Sequence, residues 1–194
     1  MEGQKKAQDW INIIEGDSSG FRDTDIYPRL KEWVNRISPE SILEVGSGQG
    51  ICSDKIELSG RSYTGLEVSP LLVARAKTLY HASNRNFVLG NAYNMPFSDN
   101  VYDAVFSVSV LHLIEDLKKF MDEMARVLKD QGSFYIMTAN PKAYSLWTDS
   151  YTDKSLEGTR FEGKMQMEGL TVSEDTLYLH PYNDIINSFE DVSL

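Results

Sequence analysis

Cysteine is nearly absent from this sequence: Cys52 is the only one in 194 residues. A single thiol excludes an internal disulfide and any metal site built from several cysteines. No apolar run approaches the roughly 18 residues needed to span a bilayer. The opening stretch, Met1 to Asp9, is polar and lacks the apolar centre of a signal peptide. The expectation is a cytoplasmic protein with no membrane partner. Basic charge is also scarce, with 19 Lys and Arg against 29 Asp and Glu and a formal net charge of −10. Such a surface repels phosphate backbones, so nucleic acid is not an expected partner. The densest basic pair, Lys118-Lys119, is itself flanked by Asp116 and Asp122. Internal repeats, low-complexity tracts and a linker that would divide the chain are missing too. What is there, 41% hydrophobic and 25% charged residues, suits one globular domain with a single sizeable core.

Hydrophobic spacing orders the chain into elements. Ala7, Trp10, Ile11 and Ile14 recur as on one face of a helix, and Ile26, Leu30, Trp33, Val34 and Ile37 mark a second helix that Ser38-Pro39 stops. The rhythm then changes to short apolar runs of the kind a sheet covered on both faces requires: Ile42 to Val45, Ser62 to Leu66, Asn86 to Leu89, Ala104 to Val110 and Ser133 to Met137. Helices are expected between them, over Ile51 to Leu58, after Ser69-Pro70, and along the face made by Leu117, Phe120, Met121, Met124 and Leu128. Strands alternating with helices imply a parallel sheet with right-handed crossovers. Beyond Thr138, Phe161 to Met167 and Thr176 to His180 suit an antiparallel hairpin, and Asp184 to Phe189 a last helix.

The chemistry is concentrated where strands end. Gly46, Gly48 and Gly50 follow the first strand and open a helix, the place where open α/β sheets bind nucleotides. A dinucleotide fingerprint would need its third glycine at position 51, which is Ile, and no Gly-Lys-Ser/Thr follows, so a P-loop is absent. Glu67 closes the second strand, where a carboxylate can accept from both hydroxyls of a ribose. Gly90-Asn91-Ala92 follows the third strand; an Asn amide can pair with an adenine edge, with Met95 and Phe97 placed to cover its face. Tyr102-Asp103-Ala104-Val105-Phe106 then leads to Ser107, Ser109 and His112.

With these motifs in register, from Leu43-Glu44-Val45-Gly46-Ser47-Gly48-Gln49-Gly50 through Gly65-Leu66-Glu67-Val68-Ser69 and Tyr102-Asp103-Ala104-Val105-Phe106 to Leu128-Lys129-Asp130, the sequence resembles the class I S-adenosylmethionine-dependent methyltransferases, in their broad small-molecule branch. The resemblance covers Ile42 to about Met137. It implies a Rossmann-like three-layer α/β sandwich, mainly parallel, in the strand order 3-2-1-4-5 with helices on both faces. It also implies S-adenosylmethionine as cofactor and S-adenosylhomocysteine as product. Glu44, Gly46, Ser47, Gly48 and Gly50 would hold the methionyl part, Glu67 and Val68 the ribose side, and Asn91 and Ala92 the adenine. Ser107, Val108 and Ser109 would lie under the sulfonium. The family more often carries Asp at position 91; Asn keeps the acceptor oxygen. The chain then divides into an N-terminal helical segment, 1–40, a cofactor-binding core, 41–139, and a substrate-covering segment, 140–194.

The activity so implied is in-line transfer of a methyl group to O, N or C of a small-molecule acceptor. His112 is the first candidate for a general base and His180 the second; each has the alternative of a structural imidazole bonded to backbone. Asn-Pro-Pro-aromatic, common after the fourth strand of ring- and amide-nitrogen methyltransferases, is replaced by Ser107-Val108-Ser109-Val110. The competing function is a non-catalytic S-adenosylmethionine- or S-adenosylhomocysteine-binding protein, or a truncated methyltransferase. Cys52 reads as a small buried residue, and Tyr144, Trp147 and Tyr151 as one helix face against the core or the substrate. The family's sixth and seventh strands are missing or replaced by the hairpin, which is expected to cover the edge of the fifth strand; a homodimer is the other remedy for a bare edge.

Overall fold

The computed structural model describes residues 2–16, 20–138, 140, 160–167 and 170–190. Five strands, β1 (Ser41–Val45), β2 (Ser62–Glu67), β3 (Arg85–Leu89), β4 (Tyr102–Val108) and β5 (Leu128–Met137), form one sheet in the order β3-β2-β1-β4-β5. Every neighbouring pair in it is parallel. The order places β1 at the centre, with its carboxyl end and that of β4 side by side, where a crevice opens between crossovers that leave in opposite directions.

Helices cover both faces. On one lie α2 (Tyr27–Ile37), α3 (Cys52–Lys55) and α4 (Pro70–Leu79), whose Leu30, Trp33, Val34 and Ala76 pack with Ile42, Tyr63, Phe87 and Phe106. Trp33 stacks on Tyr135 at 5.2 Å and meets the edge of Phe106 at 6.3 Å. On the other lies α5 (Leu117–Val127), whose Phe120, Met121 and Met124 pack on Leu43, Val45, Leu66 and Val105. Successive residues of β1 thus feed opposite cores, as strand alternation requires. The same alternation sends Glu44 to the face of Ile42. Two N-caps start helices where the sequence offers them: Ser69 accepts from the Leu72 amide and Asp116 from that of Lys119. α1 (Glu2–Gly16) buries Ala7 and Ile11 against Leu72 of α4. A single π-turn, Arg22–Ile26, then leads into α2.

Three expectations are corrected. The helix after the glycine loop is one turn, Cys52–Lys55, instead of Ile51 to Leu58, because Ile56 turns extended and it and Leu58 enter the core from outside the helix. Leu128 begins β5 instead of ending α5: it pairs with Tyr102, and the ladder resumes at Ser133 after a bulge with Gln131 in the left-handed region. The hairpin is there, as β6 (Arg160–Met167) and β7 (Leu170–Tyr178), but it forms its own two-stranded sheet. β7 lies against α1 and the 3-10 turn Leu111–Leu113, and the hairpin does not extend the sheet beyond β5. The final helix, α6 (Tyr182–Glu190), packs on α5 and stacks Phe189 on Phe134 of β5 at 5.4 Å. Tyr144, Trp147 and Tyr151 fall outside the described residues. No helix among the described residues is long and apolar enough to cross a membrane.

Candidate active site

The glycine loop is tied down by its own backbone. The Gly46 and Ser47 amides both donate to the Leu66 carbonyl, at 2.8 and 3.0 Å, so the loop folds over the end of β2. Gly46 and Gly50 have φ of 78° and 85°, and a Cβ at either would strike Val110 at 2.4 Å or Phe87 at 2.7 Å. Only glycine satisfies the backbone and the space together. Gly65, opposite Glu44 on β2, is needed for a different reason: a Cβ there would lie 2.7 Å from the Ser47 Oγ.

Beside this loop is a partly open cavity of about 50 Å³. Gly46, Ser47, Gly48 and Gln49 form one part of its lining, Val108 and Ser109 from the end of β4 another, and Trp10, Ile14, Ile26 and Tyr27 an apolar cover. Ser109 has φ 59°, a left-handed conformation unusual for a residue other than glycine, at the point where β4 leaves the sheet. Glu44 faces the cavity with 3% of its surface exposed. Its Oε2 accepts from the Tyr63 hydroxyl, and the Cys52 thiol bonds to it as well. Burial pushes the Glu44 carboxyl up to about 8, against the opposing pull of those two hydrogen bonds. Burial likewise holds the Cys52 thiol and the Tyr63 phenol well above their ordinary values, so Cys52 is a protonated buried side chain, as its sequence position suggested.

Glu67 is buried and works on the loop. Its Oε2 accepts from the Gly48 amide at 2.9 Å and its Oε1 from the Ser69 amide at 2.9 Å, joining the glycine loop to the start of α4. Each oxygen keeps a further lone pair for a ligand hydroxyl. Val68, 68% exposed, and Leu89, 53% exposed, stand at the same carboxyl edge of β2 and β3. Asn91 is exposed, its Oδ1 accepting from the Tyr93 amide at 2.8 Å, and Ala92 packs partly into the core. Met95 does not cover this edge: it is buried under α5, with its amide held by Glu123 and its carbonyl by Arg126. Phe97 meets the edge of Tyr102 at 5.4 Å.

Ser107 is buried, its hydroxyl donating to the Val45 carbonyl at 2.9 Å, so it braces β4 against β1 while Val108 and Ser109 reach the cavity. His112 is buried on the 3-10 turn and does not line the cavity. His180 is further from it in role: its Nε2 lies 2.5 Å from the Ile114 carbonyl, its ring stacks on Tyr178, and burial lowers its basicity. Trp10 and Arg22 were missed by sequence reasoning. Both line the cavity, and the Trp10 Nε1 sits 3.2 Å from where a Cβ on Gly48 would be. Trp10 was legible as one of four apolar residues on a helix; nothing local said that this face would cover a loop 38 residues on.

A loop of glycines folded over the end of β2, with a carboxylate near the end of each of the first two strands, is the arrangement by which open α/β folds hold nucleotide cofactors. The methyltransferase domain family model matches residues 43–136, which include the glycine loop, Glu44, Glu67 and the end of β4. The core of the chain belongs to the class I S-adenosylmethionine-dependent methyltransferase family. The chain is 30% identical over 151 residues to the fatty-acid O-methyltransferase of Mycolicibacterium smegmatis, covering 76% of this chain and 54% of that protein. It is 30% identical over 126 residues to the phthiotriol/phenolphthiotriol dimycocerosates methyltransferase of Mycobacterium tuberculosis, covering 64% and 46%. It therefore spans about half the length of the curated relatives it matches. A methyltransferase structure from Methanosarcina mazei superposes with a TM-score of 0.63 at 19% identity, covering 78% of this chain and 77% of that one, which speaks to the fold.

The residues fit the family's cofactor. The Ser47 hydroxyl is buried at the cavity without a hydrogen-bond partner, and Glu44 turns a carboxyl into it, so the cradle offers polar groups that a methionyl end would use. The volume does not suffice for the whole molecule: small-ligand sites are typically about 300–1,000 Å³. Trp10 and Ile14 of α1 are part of the lining on the side of the N-terminal helix.

Proposed function

We propose that this protein transfers a methyl group from S-adenosylmethionine to a small, largely apolar acceptor. The observation that carries the reading is the glycine-loop cavity, in which Glu44 and Ser47 present buried polar groups beneath an apolar cover of Trp10, Ile14, Ile26 and Tyr27. In this reading Glu44 takes the methionyl ammonium, and Gly46, Ser47, Gly48 and Gly50 enclose the chain that bears it. Glu67 accepts the ribose hydroxyls beside Val68, Asn91 and Ala92 bound the adenine, and Ser107, Val108 and Ser109 set the floor under the sulfonium. The bound cofactor supplies an activated methyl group. The protein's task is to exclude water and align the nucleophile, which can be worth roughly 7–11 kcal/mol.

An acceptor that is already anionic needs no general base. The position of both imidazoles off the cavity favours such an acceptor, and a carboxylic acid, the class named for the Mycolicibacterium smegmatis relative, has that property. Should a base be needed, His112, three residues beyond the cavity-lining Ser109, is assigned that role ahead of His180. The reading places the protein in the cytoplasm. It includes self-association along the outer edge of β5, which no described strand pairs with. Light scattering that gives 22 kDa at every concentration removes that last part.

The test is calorimetric binding of S-adenosylhomocysteine, followed by methyl transfer from labelled S-adenosylmethionine to a panel of long-chain acids, alcohols and amines. Transfer to the acids confirms the reading. Binding without turnover on any of them assigns the chain to the alternative, a non-catalytic cofactor-binding protein. No binding withdraws both.

A further inference from the structure

Glu44 enters the cavity from β1 with its carboxyl almost wholly buried, and the groups it bonds to are neutral. On the same face of the sheet Tyr63 of β2, itself buried and set edge-on to Phe87 at 5.8 Å, donates its hydroxyl to the Glu44 Oε2. From α3 the Cys52 thiol bonds to the same carboxyl. Of the other ionisable groups around it, Glu67 at the end of β2 adds like charge and Tyr27 of α2 is a neutral phenol. The Arg22 guanidinium of the π-turn also lines the cavity, and its charge acts on Tyr27 and Cys52. α1 and β4 contribute Trp10, Ile14, Val108 and Ser109 to the lining, none of which titrates. A carboxylate buried among neutral donors has the cost of desolvation against it and is relieved by holding a proton. Burial prevails here over the two hydrogen bonds, so the unliganded carboxyl is largely protonated at neutral pH. A cation brought against it reverses the balance, because an ion pair with charge-assisted hydrogen bonds forms only with the carboxylate.

We propose that a ligand ammonium entering the cavity displaces the proton of Glu44 to solvent, and that Tyr63 is the positioning residue that holds the carboxylate so formed. The carboxyl O–H is the bond that breaks: a neutral acid and an ammonium become an ion pair, and one proton leaves to the buffer. The inference rests on the methyltransferase reading, which puts the methionyl ammonium at Glu44, and adds to it a proton that binding must release. The site then selects a cationic amino group over a neutral one, and does so more strongly as pH rises. With Glu44 titrating at about 8, affinity tightens about tenfold for each pH unit between pH 5.5 and 7.5. Tyr63 acts through Glu44: its hydroxyl favours the carboxylate over the acid, so it sets the pH at which the ligand gains its hold.

The experiment uses the full chain and its Glu44→Gln and Tyr63→Phe variants. The probes are S-adenosylhomocysteine and its deaminated analogue, which keeps the carboxylate and lacks the ammonium. Calorimetry at pH 6.5 in phosphate and in imidazole, whose ionisation enthalpies differ, counts the protons released, and titrations from pH 5.5 to 7.5 give the affinities. The wild-type chain should release about one proton per S-adenosylhomocysteine and bind it about tenfold more tightly per pH unit, with neither effect for the deaminated analogue. Glu44→Gln should bind S-adenosylhomocysteine more weakly and lose both effects. Tyr63→Phe should still release the proton but weaken S-adenosylhomocysteine by about tenfold to a hundredfold, the range expected for a lost hydrogen bond to a charged group. The deaminated analogue should not feel that change. Affinity that does not vary with pH, or proton release that persists in Glu44→Gln, overturns the proposal. Equal weakening of both ligands in Tyr63→Phe overturns the role of Tyr63 and leaves it as core packing. If the wild-type chain binds neither ligand at any pH, the cofactor reading itself falls and takes this inference with it, a result distinct from the previous ones. Unliganded thermal midpoints of the three proteins identify a variant that has lost the fold.

Discussion

Glu44 gives the sharpest prediction because it lowers the stability of the protein that carries it. Its carboxyl has a folded value near 8 against an ordinary value of 4.5. Below pH 4.5 both the folded and unfolded chains hold the proton and nothing is lost. Between 4.5 and 8 the unfolded chain releases it while the folded chain keeps it, so stability falls as pH rises, by about 1.4 kcal/mol per pH unit. At pH 7 the loss amounts to about 3 kcal/mol, and it levels off once the folded carboxyl also ionises. Glu44→Gln abolishes the titration while keeping a carbonyl to accept the Tyr63 hydroxyl. The variant should therefore melt higher at pH 7, by roughly 5–10 °C for a chain of this size. The advantage should shrink to about 1 kcal/mol or less at pH 5, only slightly above the value at which the unfolded carboxyl also keeps its proton. Urea unfolding across pH 5 to 8.5, followed by circular dichroism without ligand, gives the whole curve. The same variant should bind S-adenosylhomocysteine more weakly, which would make Glu44 a site residue kept at the expense of stability. A variant no more stable than wild type at pH 7, or a gap that does not vary with pH, would show that Glu44 is ionised in the fold and would refute the reasoning.

The other expectations concern the loop and its supports. Gly50→Ala places a Cβ within 2.7 Å of Phe87 at φ 85°, and should cost about 2–4 kcal/mol in urea unfolding; an unchanged midpoint would mean that Phe87 gives way freely. Glu67→Ala strips the acceptor from the part-buried Gly48 and Ser69 amides and should destabilise by about 1–3 kcal/mol, so it confounds binding with folding. Glu67→Gln keeps one acceptor oxygen and is the better probe: it should retain most of the stability yet weaken S-adenosylhomocysteine about tenfold if the ribose sits there. Arg126→Met removes donors to the Met95 and Phe97 carbonyls and to Asp99 and Glu123, and should loosen the 95–99 loop, lowering stability by about 1.5–3 kcal/mol. Hydrogen exchange localised to that loop would report it.

Much of this architecture is written in short-range pattern. Apolar runs ending at Val45, Leu66 and Leu89 mark strand ends to within a residue, the run from Ala104 to Val110 overshoots β4 by two, and strand-helix alternation leaves few ways to order them. The glycine loop was legible because its spacing departs from the dinucleotide fingerprint in a definite way. What the pattern did not carry was long-range. Leu128 satisfies the helical spacing of α5, and only its pairing with Tyr102 makes it a strand residue. Ile56 and Leu58 continue a helical rhythm, yet they fill the core in extended form. Tyr63 could be placed beside Glu44 only once β1 and β2 are registered, and Arg22 has no motif at all. It meets the glycine loop because a π-turn brings it there.

Among the described residues α1 is held by Ala7 and Ile11 against Leu72, by Trp10 under Arg22, by the ion pair of Glu15 with Arg75, and by the strand β7 alongside. Yet its Trp10 lines the glycine-loop cavity, the place proposed for the cofactor. Any measured affinity is then the product of two equilibria, undocking of the helix and binding to the exposed cradle, and the first divides the second by the fraction of molecules already open. Trimming the N-terminus would tighten S-adenosyl ligands and quicken their exchange. On that reading the helix would govern how quickly spent cofactor leaves, from a segment whose described packing is on α4 and β7.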